Sequence, residues 1–432
     1  MDESPNGKLR PRVAGSEGGP SFIDVFAGCG GLSLGLSNAG WKGRFAIEKN
    51  ADAFGTLAEN LVSDHASRFT WPDWLPKRQL TTSTLLKKYG YQLSQLEGKV
   101  TLMAGGPPCQ GFSLAGRRLH SDPRNSLFRQ YLKIVQRVKP TFLVLENVQG
   151  FAFPFRKNPK GHGATLPYSS MVTERLKQLG YVVFSELVSL SDYGVPQTRR
   201  RFILIAILEG SPALDKLNGD SPFDLLRERR AALLQAKGLR IDSPVSVKEA
   251  IGDLETAGKT LRECQDPGSR RFKEIVYATD AEKDSEFIRL MRKDHGQAPT
   301  SIRLPRHKPE TIKQFQTILD TCKRGQTLHK TDRTRLNIKK QALTPLDPNR
   351  PAATVTTLPD DMVHYSEPRI LTVRENARLQ TFPDWFTFSG KYTTGGKDRK
   401  RDCPRYTQVG NAVPPLFAEF IGTILKDLHS GE

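Results

Sequence analysis

The stretch DVFAGCGGLSLGL, Asp24 to Leu36, decides how the chain folds. An apolar β-type run, Phe22 to Phe26, leads into a cluster of glycines, and apolar sequence of helical length follows. A strand turning directly into a helix is the opening unit of an α/β sheet, and its glycines let backbone amides approach a ligand at the carboxyl edge. The spacing is not GxGxxG, because Gly28, Gly30 and Gly31 form a tighter group. Alone, such a loop serves equally well as a bare turn. Glu48, at the end of the next strand, sits where a carboxylate can accept hydrogen bonds from a ribose.

Working outward, five more β-type runs follow: Arg44 to Ile47, Val100 to Ala104, Thr141 to Leu145, Val182 to Val188 and Arg201 to Leu208. Helix candidates such as Ser126 to Val138 and Met171 to Leu179 separate them. The alternation predicts an α/β domain with a parallel sheet and helices on both faces. After Leu208 the texture turns charged and Pro-punctuated as far as about Pro368, which predicts a smaller, irregular domain over 209–367. From Arg369 helical periodicity returns, ending in a helix candidate, Pro415 to Leu428. Residues 21–208 and 368–432 are therefore expected to form one unit, and the polar, Gly/Pro/Ser-rich residues 1–20 a flexible tail.

The net charge of +19 over 432 residues points to a polyanionic partner. The charge is uneven: Arg289 to Arg350 carries fifteen Lys or Arg against five Asp or Glu. The longest strongly apolar run, FILIAIL from Phe202 to Leu208, falls well short of the roughly 20 residues a membrane helix needs. Cysteines at 29, 109, 264, 322 and 403 form no CxxC pair, so neither a zinc site nor a disulfide framework is expected. A reducing cytoplasm fits best.

The stretch GGPPCQGFS, Gly105 to Ser113, follows the apolar run VTLMA at the same predicted sheet edge. A lone cysteine is most often a small buried hydrophobe. On this loop Pro107 and Pro108 fix φ and remove donors, while Gly105, Gly106 and Gly111 leave room for a bulky partner. A thiol presented there reacts as thiolate, which a positive environment favours. LENV, Leu145 to Val148, puts Glu146 at the end of an apolar strand, where burial can keep a carboxyl group protonated and able to donate; a cap on the following turn is the plainer alternative. QTRRR, Gln197 to Arg201, brings three arginines to the start of another strand. No serine–histidine–acid arrangement is legible and no histidine lies within ten residues of Cys109, which counts against a cysteine hydrolase.

In this order these segments resemble the DNA cytosine C5 methyltransferases. The likeness runs through FAGCGGLSLG, GGPPCQGFS, ENV and QTRRR, then RILTVRENARLQTFPD (Arg369 to Asp384) and QVGNAVPP (Gln408 to Pro415). It anchors most of the chain outside about 209–367. The resemblance implies a Rossmann-like S-adenosylmethionine-dependent methyltransferase domain with a mixed, mostly parallel sheet, plus a smaller, irregular target-recognition domain over 209–367, closed by RPAATVTT, Arg350 to Thr357. It implies methyl transfer from S-adenosylmethionine, without a metal, to C5 of a cytosine flipped out of double-stranded DNA. It further implies a monomer of the bacterial cytoplasm or nucleoid, either the modification enzyme of a restriction–modification system with a cognate endonuclease or an orphan methylase.

By the same resemblance, Cys109 would add to C6 of the ring, and Glu146, held neutral, would donate to N3 and accept from the exocyclic amine. Arg201 would contact O2, and Arg199 would help hold the loop and the flipped nucleotide. Phe26, Gly28, Gly30 and Glu48 would line the cofactor pocket, with Pro108 and Leu127 near the sulfonium or adenine and Asn411 closing the site. Lys49 stands where relatives often have an aromatic against adenine. A tRNA cytosine-5 methyltransferase with the same core, or a catalytically silent DNA-binding module, are the alternatives. The long insertion after QTRRR favours DNA, and the presence of every expected catalytic residue favours an enzyme.

Overall fold

The apolar runs become β1 (Ser21–Val25), β2 (Lys42–Ile47), β3 (Leu102–Gly105), β4 (Phe142–Val148), β5 (Tyr181–Ser189) and β6 (Arg200–Leu208). They form one sheet in the order β2-β1-β3-β4-β6-β5. Neighbours pair in parallel except around β6, which runs antiparallel to both β4 and β5. The computed structural model describes residues 19–63, 66, 68–107, 125–153, 167–280, 282–293, 296–394 and 402–430. Most of the expected tail, and the part of GGPPCQGFS from Pro108 onward, lie outside the described residues.

In chain order the helices that matter here are α1 (Gly31–Asn38), α2 (Ala51–Leu57), α3 (Asn125–Val138) and α4 (Tyr168–Gln178), then α5 (Pro309–Thr321), α6 (Lys330–Arg335), α7 (Val373–Leu379), α8 (Arg405–Asn411) and α9 (Pro415–Ser430). Along β4, Leu143 and Leu145 join one buried layer while Phe142 and Val144 join the other. This is the period-two alternation of a sheet covered on both faces. Tyr131, Ile134 and Val138 of α3 and Leu176 of α4 fill the first layer; Leu34 and Leu36 of α1 and Phe417 and Ile421 of α9 fill the second. α9 packs so closely on α1 that a Cβ at Gly35 would lie 2.3 Å from the Pro415 carbonyl oxygen. Trp41 completes the seam by donating to the Gly422 carbonyl at 2.8 Å. The C-terminal helix thus packs directly on the helix that follows β1.

Two expectations need correction. β4 does not end at Leu145 but continues through Glu146 and Val148, because antiparallel β6 supplies ladder partners there: Glu146 faces Ile203 and Val148 faces Arg201. The core does not divide at Leu208 either. Ala213, Phe223, Leu226, Leu234 and Ile251 belong to the same buried layer as α1 and α9. The physical reason is a series of short capped helices, such as Pro222–Glu228 with its Ser221/Asp224 capping box, whose charged outer faces obscure an apolar inner stripe. Two smaller separate cores follow: Leu254, Ile275 and Ile302 form one, and Phe315, Ile318, Leu319, Leu328 and Leu343 gather in the other.

RILTVRENARLQTFPD forms a buried ionic seam. Arg374 and Arg378 are fully buried; Arg378 reaches Asp384 at 2.6 and 2.9 Å and also pairs with Asp253 of the insertion. Arg369 holds Glu375 through two bonds of 2.8 Å. Burial alone would raise the Glu375 carboxyl, but the Arg369 guanidinium overcomes it and holds the group at about 2. Arg374 donates to the Thr300 carbonyl at 3.0 Å, so the seam ties the insertion to the segment that follows it.

Candidate active site

The glycine loop is locked to the end of β2. Phe26 takes a left-handed φ of 68°, unusual for a non-glycine residue, and the amides of Phe26 and Ala27 both donate to the Ile47 carbonyl, at 2.9 and 3.0 Å. Glu48 follows directly, accepting from the Gly28 amide at 3.1 Å and the Asn50 amide at 2.8 Å. Asn50 in turn caps α2 by accepting from the Ala53 amide at 3.1 Å. The structure therefore brings Phe26, Gly28, Gly30 and Glu48 together, with Gly30 at φ 96° capping α1. Beneath them Ser33 donates to the buried Asp24 at 2.6 Å. Burial pushes the Asp24 carboxyl up to about 6 and raises Glu48 as well, against the lowering effect of its amide bonds.

This cradle suits an S-adenosylmethionine. Gly28 holds φ 57°, and a Cβ built on it would meet no protein atom within 4 Å, so the loop borders open space that a ligand can fill. Glu48 presents its carboxylate beside that space, each oxygen keeping lone pairs beyond its one amide bond. Leu127, in the first turn of α3, is partly exposed, and Asn411, the last residue of α8, is exposed. Among the described residues no hydrogen bond joins either to the Glu48 loop; Pro108 lies outside the described residues. Lys49 is exposed. Among the described residues no group of three or more His, Cys, Asp or Glu is placed to hold a metal ion, and no helix is long and apolar enough to cross a membrane.

The second half of the site stands on β4 and β6. Alternation along QTRRR turns Gln197 and Arg199 inward and leaves Thr198 and Arg200 exposed. Arg201 lies opposite Val148 in the ladder, which makes it the diagonal neighbour of Glu146 on one sheet face. Its Nε donates to Glu146 Oε1 at 2.8 Å, with the two side chains 12% and 13% exposed. The carboxyl expected at the end of an apolar strand is therefore half of an ion pair with Arg201. The stem of GGPPCQGFS runs along the same pair: a Cβ on Gly106 would sit 3.5 Å from Glu146 Oε2, and Asn147 donates to the Pro107 carbonyl at 3.3 Å. Cys109 itself lies outside the described residues.

Arg199 is set apart from the Glu146–Arg201 pair. It is buried, and its guanidinium donates to the carbonyls of Val355 at 3.1 Å, Ala412 at 3.3 Å and Gly410 at 3.4 Å. Gln197 adds to this clamp, donating to the Leu379 carbonyl at 2.6 Å and accepting from the Val355 amide at 3.1 Å. Sequence reasoning passed over Gln197 and Asn147. The signal for Gln197 was available in the two-residue period of Gln197, Arg199 and Arg201.

The other cysteines are poor nucleophiles or remote. Burial raises the Cys29 thiol far above its ordinary value, and its Sγ rests 3.5 Å from the Gln408 carbonyl. Burial likewise pushes Cys403 up to about 12 and Cys264 to about 11. Cys322 belongs to the small core around Phe315.

The profile of the C-5 cytosine-specific DNA methylases matches residues 20–427. The chain belongs to that family. This DNA cytosine-5 methyltransferase is 29% identical over 402 residues to the type II methyltransferase M.DdeI of Desulfomicrobium norvegicum, spanning 92% of this chain and 86% of that one. To the type II methyltransferase M.XorII of Xanthomonas oryzae pv. oryzae it is 29% identical over 441 residues, spanning 95% and 85%. A solved structure described as a DNA modification methyltransferase encoded within an E. coli prophage superposes with a TM-score of 0.60 at 23% identity, over 95% of this chain and 99% of that one. That likeness speaks to the methyltransferase fold.

Proposed function

We propose that this methylase transfers a methyl group from S-adenosylmethionine to C5 of a cytosine flipped out of a specific duplex DNA sequence. As in its type II relatives, the reading makes it the modification enzyme of a restriction–modification system or an orphan methylase, acting as a monomer in the bacterial cytoplasm. The observation that carries the proposal is the placement of the Glu146–Arg201 pair against the stem of the Cys109 loop, at the same sheet edge as the Glu48 cradle.

C5 is a weak nucleophile within an aromatic ring, so an addition at C6 must come first. The Cys109 thiolate forms an Sγ–C6 bond, and the electron pair of the C5–C6 double bond is released toward C5. Glu146 hydrogen-bonds N3 and the exocyclic amine, and Arg201, held by Glu146, reaches O2; both stabilise the charge that develops on the ring. S-adenosylmethionine, when bound by the Phe26–Gly30 loop and Glu48, would supply the electrophilic methyl group that the C5 electron pair takes, the pair of the broken S–CH3 bond staying on its sulfur as a neutral thioether leaves. Water then removes the C5 proton, and the returning electron pair expels the thiolate. Extruding the base costs a few kcal/mol, which phosphate contacts from the basic segment Arg289 to Arg350 offset.

A duplex carrying 5-fluorocytosine tests this chemistry, because fluorine at C5 cannot leave as a proton. The wild-type protein with S-adenosylmethionine should form a denaturation-resistant adduct, and Cys109→Ala should form none. Methyl transfer to such DNA without an adduct would contradict the covalent route.

A further inference from the structure

Between α7 and α8, Phe388 to Thr394 and Asp402 to Pro404 form a strap against α2, the helix that Glu48 and Asn50 lead into. Ser389 donates through its amide to Thr56 Oγ1 at 2.9 Å and through its hydroxyl to Glu59 at 2.8 Å. A Cβ on Gly390 would lie 2.9 Å from Asp52 Cγ, so the strap packs directly on the first turn of α2. Gln408 of α8 closes the ring, accepting from Thr56 Oγ1 at 2.7 Å and donating to the Ser389 and Cys403 carbonyls at 3.0 and 2.9 Å. Its own carbonyl faces the Cys29 thiol of the glycine loop at 3.5 Å. The strap thus braces both halves of the cofactor cradle.

The insertion holds the strap from its other side. Asp266 opens a tight turn there, its carbonyl accepting from the Ser269 amide at 3.0 Å. Its carboxylate accepts from the Tyr392 hydroxyl and from Arg405 Nη1, the latter at 2.6 Å. Arg405 in turn donates from Nε to the Gly390 carbonyl at 3.0 Å and from its amide to the Lys391 carbonyl at 2.8 Å, which binds the two limbs of the strap together. The buried Tyr392 ring lies 3.6 Å from the guanidinium carbon of Arg303, another insertion residue, and 4.4 Å from that of Arg405. Two guanidinium groups against one ring repel each other, and Asp266 supplies the opposing charge. The Arg405 and Asp266 side chains are only 11% and 19% exposed, so water and salt screen the pair weakly.

We propose that Asp266, although it belongs to the insertion, is a positioning residue of the S-adenosylmethionine cradle. It fixes Tyr392 and Arg405, they fix the strap, and the strap fixes α2 behind Glu48. This rests on the cofactor reading above. The partners of Asp266 lie on the strap and not on the Glu146–Arg201 pair, so its loss should cost cofactor affinity and leave the chemical step alone.

The test is a calorimetric titration of S-adenosylmethionine into the full chain. Asp266→Asn, which keeps the shape and removes the charge, should raise Kd about 10-fold, and Asp266→Glu should recover most of the affinity. In steady-state methylation of a duplex, KM for S-adenosylmethionine should rise by the same factor while kcat stays within about two-fold of wild type. A loss of folded protein would instead lower kcat and leave KM alone. In the cofactor-free variant, hydrogen exchange at the Ser389 and Arg405 amides should run about 10-fold faster than in the wild type. Unchanged Kd in a folded Asp266→Asn, or a fall in kcat with KM unmoved, would overturn the assignment. If Asp266→Asn does not fold, Tyr392→Phe decides in its place, because it deletes one hydroxyl and keeps the ring. Affinity about three-fold weaker supports the proposal there, and wild-type affinity overturns it. A wild type that binds no S-adenosylmethionine would instead remove the reading beneath it.

Discussion

Arg201 Nε lies 2.8 Å from Glu146 Oε1, and strand register rather than a loop holds the two together. Val148 faces Arg201 across the β4–β6 ladder, so the diagonal contact to Glu146 is built into the sheet. The pair should therefore behave as one unit. Glu146→Gln and Arg201→Ala are each expected to lower the single-turnover methylation rate by about 10²- to 10³-fold, with melting temperatures close to wild type. Arg201→Lys should recover little, because an ammonium cannot reproduce the fixed Nε geometry. Rapid-quench kinetics and thermal melts check both halves of this expectation.

Glu48 accepts from two backbone amides, Gly28 and Asn50, that belong to opposite sides of the cofactor cradle. Glu48→Gln keeps the shape but turns an amide donor toward one of those N–H groups. Titration calorimetry should show S-adenosylmethionine affinity falling about 10- to 100-fold, with duplex affinity unchanged.

Arg199 clamps backbone carbonyls rather than pairing with Glu146. Its guanidinium joins Val355, at the close of the insertion, to Gly410 and Ala412, which flank Asn411. Arg199→Met should cost about 3 kcal/mol in urea unfolding, since several charge-assisted bonds to buried carbonyls are lost together. Arg199→Lys should recover part of that loss.

Asp24 gives the protein a pH signature. Its carboxyl titrates at about 6 in the folded chain against 3.8 for the ordinary group, because burial favours the neutral form. Between those values the folded state holds a proton that the unfolded state has released. Stability should consequently fall as pH rises from about 4 to about 6, by roughly 3 kcal/mol, with no further loss above. Asp24→Asn should flatten this slope while an amide oxygen still accepts from the Ser33 hydroxyl. Urea midpoints at several pH values between 4 and 7 measure it.

The strands and the cofactor loop were legible because both announce themselves locally, as apolar runs and as glycines beside a carboxylate. Glu146 was recognisable, but its partner was not, since the pairing depends on an antiparallel strand more than fifty positions away. The buried Arg374 and Arg378 ran against the expectation that arginine stays at the surface. Their partners include Asp253, 125 positions distant from Arg378, and only the fold brings such acids near. The domain boundary at Leu208 misled for a related reason: helices with one apolar stripe and a charged outer face read as irregular sequence until α9 covers the stripe.

The central claim is that Cys109, with Glu146 and Arg201, methylates cytosine in DNA at C5. Bisulfite sequencing of plasmid DNA from cells expressing the protein tests it most directly. Wild type should protect one cytosine in every copy of a single short sequence, and Cys109→Ala, expressed to the same level, should protect none. Unprotected DNA from a well-expressed wild type, or protection that survives Cys109→Ala, would contradict the account.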